Sequence, residues 1–216
     1  MKLYIANRRY SSWSLRGWLA AKQSGLPFEE VMVDIYADGW AAQKTEGVFG
    51  EGNSRVPILE DDGAVVWNAL AIIDWLDRKS GGTKFWPTEP KARAFATSIA
   101  AEMQAGFLPL RQNCPMNCMR HYPGWTVAPD AEADVARIDW LWRTAIERFG
   151  GPWLGGAEWG GADILFSAVV SRLTTYDVKL SPLSDAYRAR AIAHPLVAEW
   201  IAAAADETRL LPHYEF

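Results

Sequence analysis

The period of the apolar residues changes once along the chain, and no other feature constrains the fold as much. Before residue 80 two periods alternate; after residue 90 only the helical one remains. Lys2 to Ala6 is a short strand-like run, and Asn7 to Ser12 is a polar loop. Leu15, Trp18 and Leu19 form one face of a helix, which Gly25-Leu26-Pro27 ends. Val31, Val33 and Ile35 alternate with Met32 and Asp34, as in a second strand. A strand–helix–strand order makes the two strands parallel neighbours. Trp40 to Glu46 is weakly helical, and Gly47 to Asn53 reads as a loop. Pro57 to Glu60 and Ala64 to Trp67 flank Asp61-Asp62-Gly63, a hairpin with Asp-Gly supplying the turn. Leu70, Ile73, Trp75 and Leu76 mark a helix from about Asn68 to Lys79.

Residues 80–90 are rich in Gly and Pro, as a linker is. Beyond them Phe95, Ile99, Met103 and Phe107 recur every four residues. Further helical faces run through Val135 to Phe149, Ile164 to Val169, and Val197 to Ile201. The expected architecture is an α/β unit of order β-α-β-α-β-β-α over 1–79, the linker, and an all-helical domain over 91–216.

Half of the 216 residues are hydrophobic, enough for one large core or two small ones. A net charge of −4 argues against a nucleic-acid binder, which carries a basic domain. No apolar run approaches the roughly 18 residues of a membrane helix. The N-terminal apolar run is too short for a signal peptide before it meets Asn7-Arg8-Arg9. The expectation is a cytoplasmic protein with no nucleic-acid or membrane partner. The two cysteines do not suggest a disulfide scaffold.

Tyr10-Ser11-Ser12-Trp13-Ser14-Leu15-Arg16 opens the first helix with hydroxyls and free N–H groups at the positive end of the helix dipole. Such a setting stabilises a thiolate, bringing a thiol from about 8.5 to ~7 or lower. A fall of ~2 units needs roughly 2.7 kcal/mol. One hydrogen bond to a charged group supplies ~1.5–3 kcal/mol, so a serine hydroxyl plus the helix end suffices. No cysteine stands here, so the thiol must come from a ligand. The plainer alternative is that Ser11, Ser12 and Ser14 only cap the helix.

Three segments together resemble the cytosolic glutathione transferases. The serine run is similar to the active-site segment of the serine-type zeta class and its bacterial relatives. Val56-Pro57-Ile58-Leu59 resembles the Val-Pro-x-Leu segment whose proline is cis. Asn68 to Leu76 resembles the family's helix opening, (acid or amide)-Ser-x-Ala-Ile-x-x-Tyr-Leu. The resemblance implies a thioredoxin-like N-terminal domain that binds glutathione, an α-helical C-terminal domain with the second-substrate pocket, a cytoplasmic homodimer, and attack on a small apolar electrophile. Ser11, or Ser12 beside it, is implied to hold the thiolate. Ser14, Arg55, Val56, Pro57, Asn68 and Ala69 fall at glutathione-binding positions. The backbone of Val56 is implied to pair with the cysteinyl part of glutathione. Ala69 replaces a serine that receives the γ-glutamyl carboxylate, and Asn53, Ser54 and Arg55 are near enough to substitute. Trp13 stands where the zeta class has cysteine. Trp13, Met103, Phe107, Leu110, Met116 and Trp125 are implied to line the second-substrate pocket; plain core packing is the alternative. Arg16 is implied to be structural or near ligand carboxylates; a surface helix charge is the alternative.

Gly160-Gly161-Ala162-Asp163 resembles the family's buried capping box, with Gly160 in place of serine and Asp163 structural. Cys114, Cys118 and His121 are spaced for one helical face, metal-competent in principle, though no metal is implied; the other reading is a helix end broken by Pro115. Leu210 to Phe216 is a tail that packs on the domain or covers the site. The rivals are a binding or scaffold protein on the same fold, which Ala69 favours, and a maleylacetoacetate-type isomerase. A glutaredoxin-like reductase is opposed by the missing cysteine at the first helix start.

Overall fold

The computed structural model describes residues 1–216. The chain opens with β1 (Lys2–Ile5), α1 (Ser12–Ser24) and β2 (Glu29–Met32), and β1 pairs parallel to β2. Short helices α2 (Trp40–Gln43) and α3 (Gly47–Glu51) lead to the hairpin of β3 (Ile58–Asp61) and β4 (Ala64–Trp67), then α4 (Ala69–Lys79). The sheet order is β2-β1-β3-β4, with β3 antiparallel to both neighbours. Asp62 and Gly63 both take positive φ (50° and 81°), as a two-residue hairpin turn requires.

Successive β1 residues face opposite sides. Leu3 and Ile5 enter the main core with Leu15, Leu19, Ile72 and Ile73 from α1 and α4. Tyr4 and Ile58 face a smaller cluster with Val33 and Phe49. Two expectations change here. The second strand begins at Glu29 and ends at Met32, so Val33 and Ile35 lie past it; Val33 N–H makes a bond to Ile5 O (2.7 Å), and Asp34 then turns the chain by accepting Tyr36 N–H (3.0 Å). Gly47 to Asn53 is not all loop, because α3 forms where Phe49 packs edge-on against Tyr4 and Trp40.

The second half is helical: α5 (Pro90–Ala105), α6 (Leu108–Asn113), α7 (Pro129–Phe149), α8 (Gly161–Thr175), α9 (Pro182–Ile192) and α10 (Pro195–Ala204), then a 3₁₀ turn at Pro212–Tyr214. Proline opens α5, α7, α9 and α10, where its missing N–H costs nothing. Helix α8 is apolar nearly all round and runs through the core, as such helices must. It packs against α1, so one core of 42 buried residues spans both halves. No helix is long and apolar enough to cross a membrane.

Two further readings are corrected. Phe107 does not extend the face of α5: the helix stops at Ala105, and Phe107 sits in the left-handed region (φ 60°) before α6. Cys114, Cys118 and His121 share no helical face, because α6 ends at Asn113 and 114–121 is irregular. Cys114 is buried and its thiol is pushed up to about 11; Cys118 lies against Arg8 O (3.7 Å), and His121 is exposed.

Gly17 fixes how α1 meets the β3 entry. A Cβ there would lie 2.5 Å from Pro57 Cβ, so any side chain forces Pro57 away. Gly17→Ala is expected to cost ~1–3 kcal/mol, the usual cost of overpacking, read as a lower urea midpoint, and to displace the Val56-Pro57 wall described next.

Candidate functional site

Ser11 is the N-cap of α1, and its Oγ accepts Ser14 N–H (3.3 Å). The Ser11 and Ser14 hydroxyl oxygens are 2.7 Å apart, and Ser14 Oγ also accepts Ala6 N–H at 2.9 Å. Ser14 is fully buried, and Ser11 Oγ is the one acceptor available to its proton. A buried hydroxyl keeps its proton bonded. In the structure the Ser11 hydroxyl donates to Ser14 Oγ; when a ligand accepts from Ser11 instead, Ser14 can donate to Ser11 in return. Capping and an outward-facing hydroxyl are thus compatible in Ser11. Ser12 is 9% exposed, and its hydroxyl has no partner in the chain.

The opposite wall is Gly52 to Pro57. Asn53 and Ser54 both take positive φ (56° and 58°), reversing the chain into the cis Val56-Pro57 bond. Neither Val56 N–H nor its C=O has a hydrogen-bond partner within the chain. An unpaired amide pair facing a crevice matches an extended peptide laid against it. The third wall is the start of α4. Asn68 stands before it at φ 77°, ψ 127°, a conformation that costs a non-glycine residue on the order of 1–3 kcal/mol. Its side chain caps nothing. Ala69 is fully buried behind it, and Leu70 N–H is taken by Gln104 Oε1 of α5 (3.0 Å).

These walls enclose a crevice of about 180 Å³ lined by Trp13, Gly52, Asn53, Arg55, Val56, Pro57, Trp67 and Asn68. Past Trp67 and Asn68 it adjoins a wider depression of about 710 Å³ between β4, α4 and α5. Of the residues singled out in the sequence, Trp13, Asn53, Arg55, Val56, Pro57 and Asn68 meet in the crevice. Ser11, Ser12 and Ser14 sit at the start of α1 beside Trp13 and do not line it. Met103, Phe107, Leu110 and Met116 do not line it either; all four are buried in the main core. Trp125 packs instead on Tyr176, Tyr122 and Phe216. A separate cavity of about 660 Å³ under the linker, between Trp86, Phe149 and Trp159, holds none of these residues.

Arg16 is no surface charge. It is 1% exposed and bonds Leu165 O (2.6 Å) across the domain boundary and Ser12 O (3.2 Å) in its own helix. Its guanidinium and that of Arg111 lie 4.6 and 5.0 Å from the Trp13 ring centre. Sequence reading missed Arg111, Gly52, Trp67 and Gln104, which act across elements and leave no local pattern. It also left the tail open. The tail packs down: Tyr214 stacks on Tyr10 (5.2 Å), and Glu215 accepts from Tyr10 OH (2.5 Å), Arg120 Nε (2.6 Å) and Asn117 Nδ2 (3.1 Å). These donors hold the Glu215 carboxyl below its ordinary value despite burial. Asp163 accepts Gly160 N–H (2.9 Å), Leu154 N–H (3.0 Å) and Tyr187 OH (3.0 Å). Gly160 replaces serine for a physical reason: a Cβ there would lie 2.6 Å from Phe85 O.

The sheet order, the cis-proline wall and the all-helical second half define a thioredoxin-like domain joined to a helical domain. Residues 10–79 match the family model described as Glutathione S-transferase, N-terminal domain. The chain as a whole has the glutathione transferase fold. A maleylacetoacetate isomerase of Rattus norvegicus is 24% identical over 180 residues, 83% of this chain and 81% of the relative. A glutathione transferase homolog from Burkholderia, solved with bound glutathione, is 22% identical with a TM-score of 0.66, covering 95% of this chain and 97% of that one. A glutathione S-transferase from Rhodospirillum rubrum is 17% identical with a TM-score of 0.69, covering 99% and 97%.

Proposed function

We propose that the chain is a serine-type, glutathione-dependent transferase, with residues 1–79 binding glutathione, 80–90 linking, and 91–216 supplying the second-substrate side. The unpaired Val56 N–H and C=O on the crevice wall carry the reading, since they match the cysteinyl backbone of a γ-glutamyl tripeptide. Arg55 and Asn53 supply polar groups at the same wall, and Asn68 offers its amide at the α4 start, where helix N–H groups favour a carboxylate. When bound, glutathione supplies the sulfur nucleophile. Ser11 then turns its proton from Ser14 toward that sulfur, with Ser14 donating to Ser11 in return, and favours the thiolate over the thiol. Trp13 and the start of α1 exclude water from one side.

In this reading the protein works in the cytoplasm as a homodimer. Trp67, 46% exposed beside the depression between β4, α4 and α5, offers apolar surface for the second copy. A maleylacetoacetate-type isomerase is the finer alternative, favoured by the names of the curated relatives and opposed by Trp13 in place of cysteine.

Calorimetric titration with reduced glutathione tests the reading. Binding at or below about 1 mM, some −4 kcal/mol, supports it; no heat with glutathione on the order of 10 mM sinks it and leaves a scaffold protein as the better account. Asn68→Gly accommodates the positive φ while deleting the amide. It is expected to weaken glutathione binding about tenfold, the value of one hydrogen bond to a charged group, with no loss of thermal stability.

A further inference from the structure

The cavity of about 660 Å³ under the linker takes no part in the crevice. Its walls come from the linker, the start of α5, the end of α7 and the loop before α8. Trp86, Phe149 and Trp159 give it aromatic sides. Trp86 and Trp159 are 6% and 5% exposed, so packing fixes both rings. Trp159 stacks one face on His194 (4.1 Å, 14°) and meets Trp153 edge-on (5.0 Å, 89°). What Trp159 has left for the cavity is its other face and its edge. Its Nε1 is buried with no partner, whereas a buried indole N–H usually finds an acceptor.

The rim is polar and its donors are free. Lys91 and Arg148 join no ion pair. The Arg148 guanidinium has only the Phe95 ring beside it, 5.8 Å from the ring centre. Thr83 and Thr88 add two exposed hydroxyls. The other charges here are committed. Lys84 Nζ donates to Ser24 O (2.6 Å), Glu89 accepts the Lys91 and Ala92 N–H groups (3.0 and 2.5 Å), and Asp163 holds its three donors. Glu158 is the one free acid on the wall. Two cations and two hydroxyls therefore face one carboxylate.

We propose that this cavity binds a nucleoside monophosphate: a planar ring with hydrogen-bond acceptors, carrying a phosphate. A phosphate dianion presents three strong acceptor oxygens, which suits Lys91, Arg148 and the two threonines better than a lone carboxylate would. The base stacks against Trp86 and Trp159, and a ring nitrogen or carbonyl of the base takes the orphan Trp159 N–H. The volume lies in the range of small-molecule sites. One phosphate needs only local cations, so the net charge of −4 that opposes a nucleic-acid binder does not oppose this ligand. The site stands apart from the crevice and does not rest on the transferase reading.

Calorimetric titration of the full chain with adenosine 5′-monophosphate tests it. Binding is expected at or below about 1 mM, about tenfold or more tighter than adenosine or inorganic phosphate alone, and weaker as salt rises. Arg148→Gln, at an exposed position, is expected to weaken the nucleotide about tenfold and leave adenosine unchanged. Glu158→Gln is expected to tighten it, because the one opposing charge is gone. Trp159→Phe keeps a ring against His194 and loses the N–H; it is expected to weaken nucleotide and adenosine alike, with urea midpoints confirming that each variant folds. Phenyl phosphate, whose ring has no acceptor, is expected to bind about tenfold more weakly than the nucleotide. Equal binding of phenyl phosphate overturns the assignment to a nucleoside. No heat with the nucleotide on the order of 10 mM, or an affinity unchanged in both Arg148→Gln and Trp159→Phe, overturns the site. Competitive displacement by reduced glutathione also overturns it, since the nucleotide would then lie in the crevice.

Discussion

Ser11→Ala is expected to lower kcat/KM for the proposed glutathione conjugation by about ten- to hundredfold, and Ser12→Ala to change it by no more than about threefold. The difference follows from the proton inventory at the start of α1. Ser14 Oγ accepts Ala6 N–H and the Ser11 hydroxyl, and once Ser11 turns its proton to a ligand Ser14 has Ser11 Oγ to donate to, so it polarises Ser11. A hydrogen bond from that proton to a thiolate is worth ~1.5–3 kcal/mol, which sets the size of the loss. The loss has a second signature. The pH profile of kcat/KM shifts upward by about one to two units in Ser11→Ala, because the thiol is less acidic without its donor. Glutathione affinity at low pH, where the thiol is protonated in both proteins, stays the same. Removing the cap also costs about 1 kcal/mol of stability, so rates are compared below the unfolding transition. Ser14→Ala separates the relay from direct contact. It deletes the polarising donor and leaves Ala6 N–H unpaired, so it moves the pH profile in the same direction by a smaller amount. An unshifted profile in Ser11→Ala, with Ser12→Ala carrying the loss, assigns the role to the neighbouring hydroxyl.

The parts of this molecule that were legible in the sequence are those whose signal is local. Leu15, Trp18 and Leu19 face one core because helix geometry puts them there, and Asp62-Gly63 turns the hairpin because two positive φ values are needed. The crevice wall was legible through Val56-Pro57 and Asn68 for the same reason. Failures fall where a local pattern met a non-local cause. Phe107 keeps the four-residue spacing of α5, yet the chain leaves the helix at Gly106. Cys114, Cys118 and His121 keep a helical spacing in a segment that Pro115 cannot enter as helix. Phe49 makes α3 with a single buried side chain, too little to show a period. Arg111 reaches Trp13 from a residue 98 positions away (111 − 13), and no window along the sequence contains both. Gly160 was read as a departure from a serine pattern; the close approach of Phe85 O to that backbone turns it into a requirement.

Asp163→Asn is expected to be the most destabilising conservative change in the chain, costing about 3–5 kcal/mol at neutral pH. The carboxylate of Asp163 ties three segments. Oδ1 accepts from Leu154 N–H and Tyr187 OH, and Oδ2 accepts from Gly160 N–H at the start of α8. An asparagine can match the first oxygen, but its NH2 then faces the Gly160 N–H, donor against donor, at a site that is 1% exposed. The same site makes stability depend on pH. Burial raises the Asp163 carboxyl to about 6, outweighing the three donors that favour the charged form. The native state therefore holds this proton more tightly than the unfolded chain, whose carboxyl titrates near 3.8. The contribution is complete below about pH 4 and is lost as pH rises through about 6; the difference of roughly two units amounts to ~3 kcal/mol. Urea unfolding at half-unit steps from pH 4.5 to 8 reads it directly. Wild type loses stability across pH 5–7 through this group, and Asp163→Asn, with nothing to titrate there, lacks that component. His194 acts in the opposite sense, since burial against Trp159 lowers its pKa and it gives up stability as pH falls. The wild type minus Asp163→Asn difference cancels that contribution, because His194 is present in both. A pH-independent difference between the two proteins would mean that the three donors win over burial and that Asp163 stays ionised throughout. The site would then be a buried anion held by hydrogen bonds alone, and the cost of the substitution would be the same at pH 5 as at pH 8.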